Sequence, residues 1–376
     1  MPKHVLIVFG TRPEAIKFAP LIEALSARDE VSVTVCSTGQ HRELLTGILR
    51  WFKIDVDYDL NIMGNGQSVG ETFMKAFTGV SDILGRHDID MVLVQGDTLT
   101  TLAGAQAAYL HGVRLGHIEA GLRTNNLYSP WPEEGNRRVV SALADLHFAP
   151  TEVAKENLVK ENVPLDKIYV TGNTGVDSLL KVVDRLDAEP ALRQTLESDY
   201  PFLQPDRRLV LVTTHRRENF SEGIDALKAA LQRLAHEFSG DVNIVIPVHK
   251  NPVVFTSLHR DLAEIENIYL IEPQDYVGFV FLMSRAQLII TDSGGIQEEA
   301  PSLGVPTLVI RKDTERSEGL EGFGVSLIPP TTVDIYEAAA RVLGSSLPDS
   351  RRRSNLNPYG DGQAAKRIAA VLLGDG

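Results

Sequence analysis

The sequence predicts an α/β protein with two Rossmann-like domains that face each other across a cleft. Short apolar runs alternate with helical patterns along the chain, which is typical of a parallel sheet with helices on both faces. The alternation weakens between residues 171 and 206 and then restarts, so we expect the domains to join there. With 376 residues, of which 43% are hydrophobic, the chain is long enough for two cores of ordinary size.

The first predicted domain covers residues 1–171. Its first strand is the apolar run at 5–9, and Pro13 suits the first turn of the helix that follows. Ile16, Leu21, Ile22 and Leu25 continue that helix at helical spacing. Further strands are predicted at 31–36, 91–94 and 146–149.

The second predicted domain covers residues 172–361. Its strands are predicted at 209–213, 242–248, 268–271, 288–291 and 307–310. The last segment, residues 362–376, follows a Pro-Tyr-Gly turn and has the pattern of an amphipathic helix. We expect this helix to pack back on the first domain.

Composition excludes several classes of protein. The net charge of −13 argues against a nucleic-acid partner, whose site would be basic. No apolar stretch approaches the roughly 20 residues that span a bilayer, and the first residues do not resemble a signal peptide. We therefore expect a cytoplasmic protein with no membrane partner. The single cysteine, Cys36, excludes an internal disulfide, gives no metal-ligand pattern and suits a buried strand position.

Three acids follow or interrupt apolar runs in segments rich in glycine and proline. Asp97 lies in Val-Gln-Gly-Asp-Thr, Glu119 in His-Ile-Glu-Ala-Gly-Leu-Arg and Glu133 in Ser-Pro-Trp-Pro-Glu-Glu. We expect them at the carboxyl edge of the first sheet, where open α/β sheets bind ligands. Acids that converge on one crevice are suited to proton transfer, because crowding and burial separate their pKa values.

The second domain carries an anion-binding pattern. Ser293, Gly294 and Gly295 follow a strand and open a helix, so they offer a hydroxyl and accessible backbone N–H groups at a helix N-terminus. Glu299, one turn further on, would accept ribose hydroxyls if it faces the same crevice. The alternative is an ordinary exposed helix acid.

Basic residues in both domains could hold a phosphate. The first loop lacks Gly-x-Gly-x-x-Gly, which disfavours dinucleotide binding, but Arg12 and Lys17 could direct positive charge into the cleft. They could equally be surface cations. His215 follows a strand and could neutralise a departing phosphate or donate a proton; the alternative is a core or hinge histidine. Residues 216–218 suit a solvated ion-pair network.

Seven motifs carry a resemblance to a known family. They are Gly-Thr-Arg-Pro-Glu-Ala-Ile-Lys (10–17), Gly-Asp-Thr (96–98), His-Ile-Glu-Ala-Gly-Leu-Arg-Thr (117–124), Tyr-Ser-Pro-Trp-Pro-Glu-Glu (128–134), His-Arg-Arg-Glu-Asn (215–219), Asp-Ser-Gly-Gly-Ile-Gln-Glu-Glu-Ala-Pro-Ser-Leu-Gly (292–304) and Asn-Pro-Tyr-Gly-Asp-Gly (357–362). In order and spacing they resemble the non-hydrolysing UDP-N-acetylglucosamine 2-epimerases. The resemblance implies a glycosyltransferase-B-type fold, a homodimer, and interconversion of UDP-GlcNAc and UDP-ManNAc for a cell-surface polysaccharide, with neither metal nor nicotinamide cofactor.

The resemblance also implies roles for individual residues. The catalytic set comprises Asp97, Glu119, Glu133 and His215. The substrate-binding set comprises Arg12, Lys17, Arg137, Gln274, Phe279, Ser293, Gly294, Gly295, Glu299 and Arg316. Phe279 also suits helix packing, and which acid takes or gives the proton stays open.

The chemistry accounts for this combination of acids and cations. The C2 proton of a 2-acetamido sugar has no adjacent carbonyl carbon to acidify it, so UDP must leave C1 before a carboxylate can remove that proton. The intermediate is 2-acetamidoglucal, and return of UDP with protonation from the other face gives the epimer. The alternatives are a 2-epimerase of a UDP-diacetamido-uronic acid, a hydrolysing epimerase, a retaining UDP-sugar glycosyltransferase, and a sensor that binds the nucleotide sugar without turnover.

Overall fold

The computed structural model describes residues 4–39, 42–64, 66–214, 222–248, 251–311, 314, 316–320, 324–345 and 357–374. The chain divides into two compact units, the first formed by Met1–Ser178 with Tyr359–Gly376 and the second by Leu179–Pro358. This division lies seven residues after the predicted one at 171, inside a helix that runs from Thr174 to Ala188. The segment predicted to join the domains is thus largely helical.

The first unit contains a seven-stranded parallel sheet in the order β3-β2-β1-β4-β5-β6-β7. Its strands are β1 His4–Phe9, β2 Ser32–Ser37, β3 Tyr58–Asp59, β4 Met91–Gln95, β5 Arg114–Ile118, β6 Leu146–Ala149 and β7 Ile168–Val170. Its helices are α1 Arg12–Ser26, α2 Arg42–Phe52, α3 Val69–Arg86, α4 Leu99–Leu110, α5 Glu133–Leu143, α6 Glu152–Lys160 and the start of α7 Thr174–Ala188.

Alternating residues of β1 show why this sheet needs helices on both faces. Leu6 and Val8 belong to the core that α3 and α4 cover, whereas Phe9 contacts Phe18 of α1. The residues at 5–9 are all fully buried, as expected for a central parallel strand. The apolar run of β1 is therefore continuous rather than alternating.

The second unit contains a six-stranded parallel sheet in the order β10-β9-β8-β11-β12-β13. Its strands are β8 Arg208–Thr213, β9 Val242–Pro247, β10 Ile268–Ile271, β11 Ala286–Thr291, β12 Thr307–Ile310 and β13 Val325–Ile328. Its helices are α8 Pro190–Asp199, α9 Glu222–Glu237, α10 Pro252–Leu262, α11 Tyr276–Arg285, α12 Gly294–Leu303 and α13 Thr332–Gly344. Both strand orders are of the doubly wound type, so the predicted α/β class with two Rossmann-like sheets is confirmed.

The last helix, α14 Ala364–Leu373, packs against α1 of the first unit. Asp177 accepts the backbone N–H groups of Ala364 and Ala365 at 3.2 and 2.8 Å and so caps the helix with a carboxylate. Asn173 donates its backbone N–H to the carbonyl of Tyr359 at 2.6 Å. The chain therefore returns to the unit in which it began.

Cys36 is fully buried in β2. Burial, with a further contribution from the charge of Asp59, raises the pKa of its thiol to about 12. A thiol with such a pKa remains protonated at neutral pH and is a poor nucleophile.

None of the helices in the described part of the chain combines the length and apolarity needed to cross a bilayer.

Candidate active site

Asp97 and Glu119 emerge at the same edge of the first sheet. β4 and β5 are parallel neighbours, with Gln95 opposite Ile118, and the two acids lie just beyond these strand ends. Because parallel strands end at one edge, the register brings the loops after them together. The side-chain amide of Gln95 joins them by donating from Nε2 to Oε2 of Glu119.

The first turn of α5 holds the loop that carries Asp97. Arg137 donates from Nη2 to Oδ2 of Asp97, and Asn136 donates from Nδ2 to the backbone carbonyl of Asp97 at 2.8 Å. Glu133 is the first residue of the same helix. It precedes Asn136 by three residues and Arg137 by four, so it lies on the same helix face as both. These contacts bring the segments of Asp97, Glu119 and Glu133 together in one unit.

Glu119 occupies a special backbone conformation. Its φ of 63° lies in the left-handed region, which non-glycine residues rarely adopt. Its side chain is only 6% exposed, and Nζ of Lys17 lies 2.5 Å from its Oε2. Lys17 therefore pairs with an acid of its own unit, and its predicted role in substrate binding stays a prediction.

Glu133 is half-buried, and its neighbour Glu134 is fully buried. Among the residues that the structure describes, Oε2 of Glu133 is a buried oxygen with no hydrogen-bond partner. A buried polar atom without a partner is unusual in a native protein and marks a place where a ligand group can bind. Glu133 thus differs from Asp97 and Glu119, whose carboxylates each contact a cation.

Glu134 organises the loop that leads to Glu133. It accepts the backbone N–H groups of Thr124 and Asn125 at 3.0 and 3.2 Å, and it pairs with Arg137 and Arg138 at 3.0 and 3.1 Å. Burial alone would raise the pKa of Glu134, but these hydrogen bonds and charges outweigh burial and lower it. Glu134 remains a carboxylate and shares Arg137 with Asp97.

His117 supports the Asp97 loop from inside the sheet. It is fully buried in β5, and its Nε2 lies 2.8 Å from the backbone carbonyl of Gly96, to which it donates. Burial lowers its pKa to about 3, although the hydrogen bond to Gly96 opposes the shift. The imidazole is therefore neutral and acts as a fixed donor.

The turn before α1 is fastened by Glu14. Thr11 and Glu14 form a capping box, the pattern Thr-x-x-Glu that satisfies the free N–H groups at a helix start. Burial raises the pKa of Glu14 despite its hydrogen bonds to Thr11, Thr98 and Gly10. Arg12 is the first residue of this helix and is half-buried.

In the second unit, the predicted anion site lies between β11 and α12. Ser293 is the N-cap residue of α12, and its hydroxyl makes no capping hydrogen bond. The Arg316 guanidinium lies so close to Gly294 that a Cβ there would be 2.6 Å from Nη1 of Arg316. Around Gly295, in contrast, a Cβ would meet only Oγ of Ser293 at 3.8 Å. Backbone N–H groups and a cation thus converge on one helix end.

Arg316 is fixed by α12 itself. Its Nε donates to Oε1 of Glu298 at 2.6 Å, and the two side chains are 12% and 3% exposed. Gln297 donates from Nε2 to the carbonyl of Arg316 at 2.5 Å and accepts from the hydroxyl of Thr314 at 2.9 Å. Glu299, the acid predicted to face the ligand, is half-buried beside this network.

Gln274 and Phe279 lie around the start of α11. Tyr200 donates its hydroxyl to Oε1 of Gln274 at 2.7 Å, and Gln274 donates from Nε2 to the carbonyl of Glu272 at 2.5 Å. Burial, together with nearby acids, raises the pKa of Tyr200 to about 12. The Gln274 amide is therefore oriented, and Phe279 is half-buried in the adjacent helix.

His215 lies outside the described residues, so its role stays a prediction. Several residues of these networks were not predicted as site residues from the sequence, among them Glu14, Gln95, Glu134 and Glu298. The capping-box pattern is a local signal for Glu14. The others contact residues from other loops, and no short-range pattern identifies them.

Comparison with known proteins identifies the family. The sequence profile described as "UDP-N-acetylglucosamine 2-epimerase" matches residues 23–373. A probable UDP-N-acetylglucosamine 2-epimerase of Ralstonia nicotianae is 51% identical over 98% of both chains, and the enzyme of Escherichia coli K12 is 48% identical over the same shares.

Solved structures agree. The UDP-GlcNAc 2-epimerase of Neisseria meningitidis, bound to UDP-GlcNAc, is 45% identical, with a TM-score of 0.93 over 99% of this chain and 100% of that one. The Methanocaldococcus jannaschii enzyme, in complex with UDP-GlcNAc and UDP, is 31% identical with a TM-score of 0.83 over 98% and 99%. The predicted resemblance and its glycosyltransferase-B-like fold are therefore confirmed. The chain belongs to the UDP-N-acetylglucosamine 2-epimerase family of isomerases.

Proposed function

We propose that this protein interconverts UDP-GlcNAc and UDP-ManNAc by eliminating UDP and adding it back. Family membership supports the reaction, and the N. meningitidis relative supports the ligand because it was solved with UDP-GlcNAc. The observation that carries the mechanism is the contrast among the three acids. Asp97 and Glu119 each contact a cation, whereas Glu133 keeps a buried oxygen without a partner among the described residues.

In the proposed reaction, the bond from C1 to the UDP oxygen breaks and UDP leaves with the electron pair. Positive charge at C1 makes the C2 proton acidic enough for a carboxylate to remove it, and a C1–C2 double bond forms. The intermediate is 2-acetamidoglucal. UDP then adds back to C1 while a second carboxyl group protonates C2 from the opposite face.

The described contacts favour a division of roles. Lys17 and Arg137 hold the carboxylates of Glu119 and Asp97 in fixed positions, which suits removal of a proton on one face. A proton can reside on Oε2 of Glu133 without displacing a hydrogen-bond donor, which suits delivery on the other face. The roles exchange when the reaction runs backwards.

The second unit would bind the UDP moiety. Arg316 and the N–H groups at the start of α12 suit the diphosphate. Glu299, Gln274 and Phe279 are the proposed ribose and base contacts, and Arg12 and His215 are proposed to neutralise the leaving group. The product would supply ManNAc units to a cell-surface polysaccharide, and we expect a homodimer in the cytoplasm.

Proton NMR in heavy water tests this proposal. The purified protein, given UDP-GlcNAc alone, should form UDP-ManNAc, and both sugars should carry deuterium at C2. Retention of the original C2 proton in all product would contradict the elimination route. Free ManNAc with UDP would indicate hydrolysis, and turnover only with an added acceptor would indicate a transferase.

Single variants separate the two faces. A variant that lacks the acid on one face of the sugar can still remove and replace the C2 proton on the opposite face, where the remaining acid acts. Glu133→Gln should therefore place deuterium in only one of the two nucleotide sugars when each is supplied separately. Asp97→Asn or Glu119→Gln should label the other sugar instead. Equal labelling of both sugars by Glu133→Gln would contradict the assigned role.

A further inference from the structure

A single buried carboxylate links two turns of the first unit. Glu14 is 1% exposed and lies in the first turn of α1. Its Oε2 accepts the backbone N–H groups of Gly10 and Thr11 at 3.1 and 2.8 Å. Its Oε1 accepts the hydroxyl of Thr98, the N-cap residue of α4, at 2.7 Å, and lies 3.3 Å from the hydroxyl oxygen of Thr101 in the first turn of that helix.

The turns that Glu14 links bear groups of the proposed mechanism. The first turn carries Arg12, with Lys17 one helical turn further on and in contact with Glu119. The second begins directly after Asp97. The spacing between these cations and acids therefore depends on how the two turns meet.

The approach of the turns is also sterically close. A Cβ at Gly10 would lie 2.3 Å from the hydroxyl oxygens of both Thr38 and Thr100, so only glycine fits there. Thr38 and Thr100 in turn share a hydrogen bond of 2.8 Å. Packing brings the turns together, and the carboxylate of Glu14 connects them by hydrogen bonds.

A second capping box in the same unit shows what a local cap needs. Glu71 of α3 accepts the N–H and the hydroxyl of Ser68 at 2.8 and 2.9 Å, and this box is exposed. Those hydrogen bonds lower the pKa of Glu71, whereas burial raises that of Glu14. The burial of Glu14 thus costs desolvation free energy that the exposed Glu71 does not incur. In addition to its local cap, the buried Glu14 also contacts Thr98 and Thr101 at the start of α4.

We propose that Glu14 is a positioning residue, which holds the turn of Arg12 and Lys17 at a fixed distance from the turn of Asp97 during the reaction. This inference rests on the proposed function. Glu14 acts through its hydrogen bonds and not through its charge on the substrate.

A glutamine at position 14 should restore most of the connection. Its carbonyl can accept from Gly10 and Thr11, and its amide can donate to Thr98 because hydroxyl groups rotate. The Thr98 hydroxyl can then rotate to donate to the hydroxyl of Thr101, which lies 3.0 Å away. The Thr101 hydroxyl in turn donates to the carbonyl of Gln95 at 2.6 Å. An alanine restores none of these bonds.

Three variants test the proposal by their turnover of UDP-GlcNAc. Glu14→Ala should lower kcat by about ten- to hundredfold, the range expected from misplaced reacting groups. Glu14→Gln should recover kcat to within about fivefold of the unmodified protein, because glutamine can restore most of these hydrogen bonds. Glu71→Ala, the matched capping control, should leave kcat within about twofold. If Glu14→Gln is as inactive as Glu14→Ala, or if Glu71→Ala loses as much kcat as Glu14→Ala, the proposal is wrong.

Hydrogen–deuterium exchange gives a second result that does not depend on activity. Glu14→Ala should accelerate exchange in peptides that cover residues 10–15 and also in those that cover 96–102, whereas Glu71→Ala should accelerate neither. Exchange confined to 10–15 would show a local cap and overturn the proposal. If the unmodified protein does not epimerise UDP-GlcNAc, the proposed function fails while this linkage is still measured.

A variant with a milder effect covers the case in which Glu14→Ala does not fold. Thr98→Val keeps the shape of the side chain but removes its hydrogen bond to Glu14 and its cap on α4. Thr151→Val removes a similar cap from α6, away from this linkage. Thr98→Val should lower kcat at least about fivefold more than Thr151→Val, and equal values would overturn the proposal.

Discussion

Replacement of Arg316 by alanine tests the predicted diphosphate site in the second unit. Arg316 lies against the start of α12, where Gly294 has no side chain to displace it. Its guanidinium pairs with Glu298 at 2.6 Å, and both side chains are largely buried. The substitution therefore removes the cation from the helix end and also removes the ion pair that Arg316 forms with Glu298.

The expected loss of UDP affinity has two parts. A charge-assisted hydrogen bond to phosphate contributes about 1.5 to 3 kcal/mol, which corresponds to about a ten- to hundredfold weaker complex. The charge of Glu298, no longer opposed by that of Arg316, would add repulsion toward the diphosphate. The double variant Arg316→Ala/Glu298→Gln removes that repulsion and should therefore bind UDP more tightly than Arg316→Ala alone.

Calorimetric titration of UDP measures both effects. Arg367→Ala is a matched control because Arg367 forms an exposed ion pair with Asp361 in the first unit. It should bind UDP as the unmodified protein does. Equal affinities for Arg316→Ala and the unmodified protein would refute the assignment of the diphosphate to this helix end. Equal affinities for the single and double variants would refute only the contribution of Glu298.

The other predictions concern the acids, the buried histidine and the helix glycines. Asp97→Asn, Glu119→Gln and Glu133→Gln each remove a proton-transfer group without changing the shape of the side chain. Each should lower turnover by about 10²- to 10⁴-fold while the circular dichroism spectrum stays native. Near-normal turnover would contradict a catalytic role for that residue. Because the pKa of His117 is about 3 when folded and 6.5 ordinarily, the unfolded chain binds more protons below pH 6.5. The free energy of urea unfolding should therefore fall more steeply from pH 6.5 toward pH 3 in the unmodified protein than in His117→Gln. The two slopes should differ by at most about 1.4 kcal/mol per pH unit, and parallel curves would contradict the prediction. Gly294→Ala should displace the Arg316 guanidinium, because the new Cβ would lie 2.6 Å from its Nη1, and should weaken UDP binding about tenfold. If its UDP affinity is unchanged, Arg316 does not need its observed position.

Strands with strong apolar runs could be predicted from the sequence, whereas mixed strands could not. β5 reads Arg-Leu-Gly-His-Ile, and its burial comes from neighbours rather than from its own side chains: a Cβ at Gly116 would lie 2.6 Å from Cδ2 of Leu93. The other strands absent from the prediction, β3, β7 and β13, have two to four residues and form sheet edges. Edge strands are half-covered and carry a weaker hydrophobic signal.

The candidate site shows the same limit. Asp97 and Glu119 are recognisable because each follows or interrupts an apolar run close to a glycine, and the anion-binding turn has its own local pattern. The ion pair between Lys17 and Glu119 joins residues 102 positions apart, so only the folded sheet reveals it. Adjacent acids are equally hard to distinguish: nothing in the sequence separates Glu298, which pairs with Arg316, from its neighbour Glu299.

The inert thiol of Cys36 makes this protein convenient for site-specific labelling. Because the chain has no other cysteine and this one is buried with a pKa of about 12, maleimide dyes should react only with cysteines introduced by design. Exposed positions such as Lys160 in the first unit and Glu337 in the second can each carry a dye. Energy transfer between the dyes would then report the distance between the units in solution, with and without UDP, against an unmodified background.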